Sequence, residues 1–114
     1  MKIRQFGYRV LDGQKIPPEA YVVDCRSIHN PYQTGRSDEW LWEQVRKAAG
    51  FDDRVKETLR LLRDGHPLVW VGCTFGRHRS VAVAREVLSR WEAQAWTNKP
   101  VLEVQWQNGQ TQKQ

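Results

Sequence analysis

The segment Gly72-Cys73-Thr74-Phe75-Gly76-Arg77-His78-Arg79-Ser80 constrains the fold more than any other part of the chain. Before it stands Leu68-Val69-Trp70-Val71, the most strand-like run in the sequence. After it, Ser80–Glu92 places Val81, Ala84, Leu88 and Trp91 at helical spacing. A buried strand, a glycine-bounded loop and a helix start in that order can hold an anion. The first turn of a helix offers unpaired N–H groups and the positive end of the dipole. Gly72 and Gly76 let the backbone bend and approach an oxyanion closely. Arg79 can fork onto two phosphate oxygens. Thr74 and Ser80 can donate hydroxyls, and His78 a ring N–H. Cys73, Phe75 and Arg77 complete the loop, and Arg77 can equally point to solvent. The plainer alternative is a tight strand-to-helix turn with solvated arginines.

The rest of the chain alternates strands and helices. Ile3, Phe6, Tyr8 and Val10 among polar residues suit an opening strand. Asp12-Gly13 ends it, and Pro17-Pro18 forces an extended connection. Ala20–Asp24 is a short apolar run, as in a strand buried on both faces. A polar loop, Cys25–Asp38, follows. Ser37 or Asp38 can cap a helix from about Glu39, with Trp40, Leu41, Val45 and Ala48 on its apolar side and Gly50 stopping it. Asp52 is expected to cap a second helix, with Val55, Leu59 and Leu62 as its core stripe. Gly65 and Pro67 end that helix. Pro100–Trp106 reads as a last strand, and 107–114 as a polar, disordered tail. The expectation is one α/β domain over 1–106, with a small, mainly parallel sheet of about four strands flanked by helices. Ligands of such sheets bind beyond the carboxyl ends of the strands. Both Asp24–Asn30 and Gly72–Ser80 lie at such ends.

Length and composition narrow the classes. The chain has 114 residues, room for one core. No apolar run approaches the roughly 20 residues that span a bilayer, and the start lacks the apolar stretch of a signal peptide. The expected location is the cytoplasm, with no membrane partner. The two cysteines, Cys25 and Cys73, show no metal-ligand spacing, and the three histidines do not cluster, so no metal is expected. A net charge of +5 favours anionic partners.

Cys73 admits two readings. Cysteine packs well as a small buried residue at a strand end. It is also a nucleophile when a helix start stabilises the thiolate. Cys73-x-x-Gly76-x-x-Arg79-Ser80 matches the Cys-x5-Arg-Ser/Thr loop of cysteine-dependent phosphatases, with Cys73 and Arg79 in the catalytic places. Gly72 stands where those enzymes carry a histidine. Asp24, Asp38, Asp52 and Asp53 are undistinguished candidates for a general acid.

Gly72-Cys73-Thr74-x-Gly76-x-His78-Arg79-Ser80-Val81 resembles the signature loop of the C-terminal domain of the RapZ family of RNase adaptor proteins. Phe6-Gly7-Tyr8 resembles that domain's opening strand. Asp24-x-Arg26-x-x-x-Asn30-Pro31-Tyr32 resembles a second block, and Arg46-x-x-x-Gly50-x-Asp52-x-x-Val55 a third. The four motifs keep their order over roughly residues 4–106. The resemblance implies an α/β fold akin to a sugar-phosphate-binding part of phosphofructokinase-type enzymes. It further implies binding of regulatory RNA, sensing of an amino-sugar phosphate, and self-assembly. Carried over, Thr74, His78 and Arg79 fall on ligand-loop positions, and Asp24, Arg26 and Asn30 on the neighbouring block. Two departures stand out: Phe75 replaces a glycine usual in the loop, and His29 stands where proline is frequent. No G-x-x-x-x-G-K-[ST] motif occurs, so no Walker-type nucleotide cofactor is expected.

Lys56, Arg60 and Arg63 on one helical stripe, with Arg77 and Arg85, could track an RNA backbone. They could also be a solvated face. Asp24 with Arg26 could contact ligand or form an ion pair that shapes the loop. The function expected is a non-enzymatic binding domain for a phosphorylated small molecule, RNA or both. The alternatives are a cysteine-dependent phosphatase and a protein-interaction module using exposed tryptophans, with a protein partner or a second copy.

Overall fold

The structure is a computed structural model that describes residues 1–11 and 13–105. Asp12, Trp106 and the expected tail over 107–114 lie outside the described residues. The described residues form four strands, β1 (Lys2–Gly7), β2 (Tyr21–Asp24), β3 (Leu68–Cys73) and β4 (Val101–Val104). Three α-helices accompany them, α1 (Asp38–Arg46), α2 (Phe51–Arg63) and α3 (Arg79–Ala93). All strand pairs are parallel, in the order β2-β3-β1-β4. This is the small parallel α/β sheet expected from the alternation of elements.

The order of strands decides where the helices go. The crossovers from β2 to β3 and from β3 to β4 step the same way across the sheet. Right-handed connections then lay all three helices on one face. The core agrees: Ile3, Val23, Val69, Val71 and Cys73 share a buried cluster with Val45 of α1, Val55 and Leu62 of α2, and Val83, Val87 and Trp91 of α3. Each large apolar side chain buried there contributes roughly 1.5–3 kcal/mol. The step from β1 to β2 runs the opposite way, so the same rule sends that helix-free connection to the other face. There Phe6 and Trp70 meet edge to face at 5.3 Å.

Five local expectations need correcting. The opening strand stops at Gly7, and Tyr8–Val10 is a 3-10 turn. Pairing with β3 ends at Gly7 opposite Cys73, after which the Arg9 N–H turns to the Thr74 carbonyl at 2.8 Å. β2 is not buried on both faces. It is an edge strand with Tyr21 47% and Val22 38% exposed, and only Val23 is fully buried. Asp52 does not cap α2. Gly50, at φ +90°, takes the cap position, and its carbonyl accepts the Arg54 N–H at 3.2 Å. A left-handed cap needs no side-chain acceptor but favours glycine. Gly50 therefore starts α2 and does not stop α1, which ends at Arg46. Finally, β4 spans Val101–Val104, so that Pro100 and Gln105 lie outside the strand expected over Pro100–Trp106.

Other signals held. The Ser37 hydroxyl accepts the Trp40 N–H at 3.1 Å and caps α1. At the end of α2, the Gly65 N–H bonds the Leu62 carbonyl and the His66 N–H the Leu61 carbonyl, with Gly65 at φ +95°. This 6→1 and 5→2 pairing is the Schellman closure that glycine permits.

Candidate functional site

β1 and β3 are neighbours whose connections leave to opposite faces. A crevice forms at the carboxyl ends of such a pair. The loop from Thr74 to His78 lies there, between the end of β3 and the start of α3. It is wedged against β1 by two glycines. A Cβ on Gly7 would come 2.3 Å from the Phe75 carbonyl carbon, and a Cβ on Gly76 would come 2.5 Å from the Gly7 nitrogen. Gly76 also sits at φ +68°. The Phe6-Gly7-Tyr8 block and the signature loop are therefore halves of one backbone contact. Phe75 is 59% exposed at the loop's tip, with the Arg9 guanidinium 5.8 Å from its ring centre.

Ser80, fully buried, fastens the loop from beneath. Its N–H donates to Cys73 Sγ at 3.3 Å, and its hydroxyl lies 3.1 Å from the same sulfur. Gln5 Nε2 donates to Ser80 Oγ at 2.9 Å and to the Gly76 carbonyl at 2.6 Å. Gln105 completes the network. Its N–H donates to Gln5 Oε1 at 3.0 Å, its Oε1 accepts the Gly7 N–H at 2.7 Å, and its Nε2 donates to the Val10 carbonyl at 2.9 Å. Neither glutamine was singled out from the sequence. The available signal was the place of Gln5 inside a strand, at the inward-facing position next after Ile3, and of Gln105 directly after one.

Arg79, at the first position of α3, ties three segments together. Nη1 donates to the carbonyls of Arg26 (2.9 Å) and Ile28 (3.1 Å), and Nη2 donates to Thr74 Oγ1 (3.2 Å). The loop after β2 is thus held against the loop after β3, and the two blocks named from the sequence do meet. The first intrahelical bond of α3 runs from the Ala82 N–H to the His78 carbonyl. His78 caps the helix without a side-chain bond of its own.

The His78 imidazole instead meets Asp38 of α1, Nε2 to Oδ1 at 2.9 Å. Arg77 Nε lies 3.4 Å from the same carboxylate oxygen, and the Trp42 indole N–H donates to the Arg77 carbonyl at 2.9 Å. Arg77 is thus anchored at its backbone and shares Asp38 with His78. The His78 pKa is lowered. Burial is the largest cause, Asp38 opposes it, and the nearby Arg77 and Arg79 charges add to the lowering.

In the second block, Asp24 and Arg26 pair with each other. Arg26 Nη2 donates to Asp24 Oδ2 at 2.7 Å and Nε to Oδ1 at 3.0 Å, and the Arg26 guanidinium stacks 3.7 Å from the Tyr8 ring centre. The hydrogen bonds from Arg26 hold the Asp24 carboxyl below its ordinary range. Asn30 Oδ1 accepts the Tyr32 N–H at 3.2 Å, which shapes the turn. Of the basic stripe, Lys56 pairs with Asp52 at 3.0 Å, and Arg63 stacks on Trp96 at 4.0 Å. Arg85 stacks on Trp42 at 4.1 Å, beside the signature loop. Arg60 is exposed on α2.

Among the described residues, no helix is long and apolar enough to cross a membrane, and no three His, Cys, Asp or Glu side chains converge as a metal site. Residues 1–105 match the RapZ C-terminal domain family. A relative from Novosphingobium aromaticivorans, called a nucleotide-binding protein, is 36% identical over 76% of this chain and 33% of its own length. A second, of the same description, from Salinispora tropica, is 38% identical over 66% of this chain and 30% of its own. A third, from Pseudothermotoga lettingae, is 30% identical over 76% and 36%. The chain spans about a third of the length of the curated relatives it matches. With the match running from residue 1 to 105, the chain belongs to the RapZ C-terminal domain family.

Proposed function

We propose that this domain binds a phosphorylated ligand of the sugar-phosphate class at the crevice between β1 and β3, without chemical conversion. One observation carries the reading. The start of α3, with Thr74 and Arg79 bonded to each other, stands at the carboxyl ends of two strands whose connections diverge. That is where parallel sheets bind ligands, and the helix start favours an anion there. Arg79 supplies charge, Thr74 a hydroxyl, and His78 a ring N–H.

The test is calorimetric titration with inorganic phosphate, a hexose 6-phosphate and the unphosphorylated hexose. The expected result is binding of the phosphorylated probes alone. Arg79→Lys and Thr74→Val should each weaken it about tenfold or more, as expected for losing a bond to a charged group of about 1.5–3 kcal/mol. A variant that still melts cooperatively yet binds unchanged would refute the site, as would no binding by the parent chain.

RNA is a second reading, supported by stacked pairs around the same end of the molecule: Arg26 on Tyr8, Arg36 on Trp40 and Arg85 on Trp42. Arginine-backed rings suit unpaired bases, and Lys56, Arg60 and Arg63 could extend the track. Binding of a single-stranded RNA should then fall steeply with salt. A flat salt response excludes this reading and leaves the small-molecule one standing.

A further inference from the structure

The ladder between β2 and β3 pairs Val23 with Val71 and Asp24 with Gly72. Cys73 is the last residue of β3, and Cys25 is the residue directly after β2, where a 3-10 turn over Cys25–Ser27 begins. Both side chains enter the same buried cluster, Cys25 at 0% and Cys73 at 3% exposure, and both are free thiols. Neighbouring strands lie about 4.8 Å apart. Disulfides join residues whose Cα atoms are about 4.4–6.8 Å apart. From this juxtaposition we propose that Cys25 and Cys73 form an intramolecular disulfide that acts as a redox switch beneath the anion loop.

The two sulfurs are not equivalent. Cys73 Sγ accepts the Ser80 N–H at the start of α3 and has the Ser80 hydroxyl beside it. Cys25 has only the Val23 carbonyl, at 4.0 Å. Burial raises its pKa far above the ordinary thiol range, and the neighbouring Cys73 raises it further. Cys73 is therefore the sulfur that reacts first and Cys25 the one that resolves. A hydroperoxide is the oxidant. The Cys73 sulfur attacks its outer oxygen, the O–O bond breaks, the thiol proton passes to the departing oxygen, and an alcohol (or water) leaves, giving the sulfenic acid. Cys25 sulfur then attacks the Cys73 sulfur, the S–O bond breaks, and hydroxide leaves with the Cys25 proton as water. Two thiols lose two electrons and two protons, and the peroxide is reduced by two electrons.

The consequence falls on the loop. A Cys73 sulfur bonded to Cys25 has no S–H left to donate to the Ser80 hydroxyl. Ser80 follows Arg79, which grips the carbonyls of Arg26 and Ile28 just after Cys25. Oxidation should therefore change anion affinity, a consequence that rests on the proposed ligand site. Disulfide formation itself does not.

The experiment treats the native chain with hydrogen peroxide, then counts thiols and measures intact mass. The expected product is a monomer that has lost both thiols and two hydrogens from its mass, restored by dithiothreitol. Cys25→Ser should instead accumulate oxygen on Cys73, because nothing resolves the sulfenic acid. Cys73→Ser should leave Cys25 unoxidised. Two unchanged thiols in the native chain, or a disulfide-linked dimer, would overturn the proposal. Phosphate titration of the oxidised monomer is a separate arm. Unchanged affinity there removes the switching role but not the disulfide, and absent affinity in the reduced chain fails the ligand site alone.

Discussion

Asp38 is the first residue of α1, and only folding tells it from the chain's other carboxylates. It holds His78 from 40 positions away and shares that oxygen with Arg77. Thr74, His78 and Arg79 were legible as residues of one strand-to-helix turn. Their partners outside that turn were not, because Asp38, Arg26 and Ile28 lie 40 or more positions away. The lowered pKa of His78 has a testable consequence. A histidine that binds its proton less readily when folded than when unfolded favours the fold only while neutral. Its contribution is complete above the ordinary value of about 6.5 and is lost as pH falls through that value toward the lowered one. Urea unfolding of the parent and of His78→Gln should therefore diverge below about pH 6.5, with the parent losing more stability than the variant as pH falls. Parallel profiles from pH 8 to 5 would show that burial of His78 has no such effect.

The helices and strands themselves were largely readable, since amphipathic spacing and glycine punctuation are local. Errors came at ends and edges. Ala20–Asp24 looks central by composition, yet its place at the rim leaves Tyr21 and Val22 in solvent. Asp52 looks like a cap, but its carboxylate pairs with Arg90 at 2.7 Å and with Lys56. Helix ends also repeat a device with unequal residues. α3 closes as α2 does, with the Ala95 N–H on the Glu92 carbonyl and the Trp96 N–H on the Trp91 carbonyl. Ala95 there carries φ +55°, where Gly65 stands at the matching place after α2. An alanine in that region is strained by its Cβ. Ala95→Gly should raise unfolding stability by about 1 kcal/mol. A lower melting midpoint would mean that Ala95 makes a compensating contact.

At the scale of the molecule, Gln5 and Gln105 join the ends of β1 and β4 to the signature loop. The site is thus part of the sheet's closure. Gln5→Met keeps roughly the volume but strands the Gly76 carbonyl, while the Ser80 hydroxyl keeps Cys73 Sγ and the Phe6 carbonyl and the Gln105 N–H keeps the Gln5 backbone carbonyl. A stranded buried group costs about 1–3 kcal/mol. The variant should lose about that much in urea unfolding, and its phosphate affinity should drop with the loop's anchorage. A loss under 1 kcal/mol would show that water or a neighbouring group replaces the amide.

The sequence by itself determined the α/β alternation, the strand-to-helix loop and the family. Each rests on local order along the chain: apolar period, glycine positions, and donors packed into a few consecutive residues. The strand order, and with it the diverging connections that make the crevice, was decided only in three dimensions. So were the wedge of Gly7 against Gly76, the Asp38 partner of His78, and the approach of Cys25 to Cys73. Strand neighbours are chosen by which buried faces fit together and which crossovers stay right-handed. Those choices join residues up to 100 positions apart, as Gln5 and Gln105 are, and no local pattern records them.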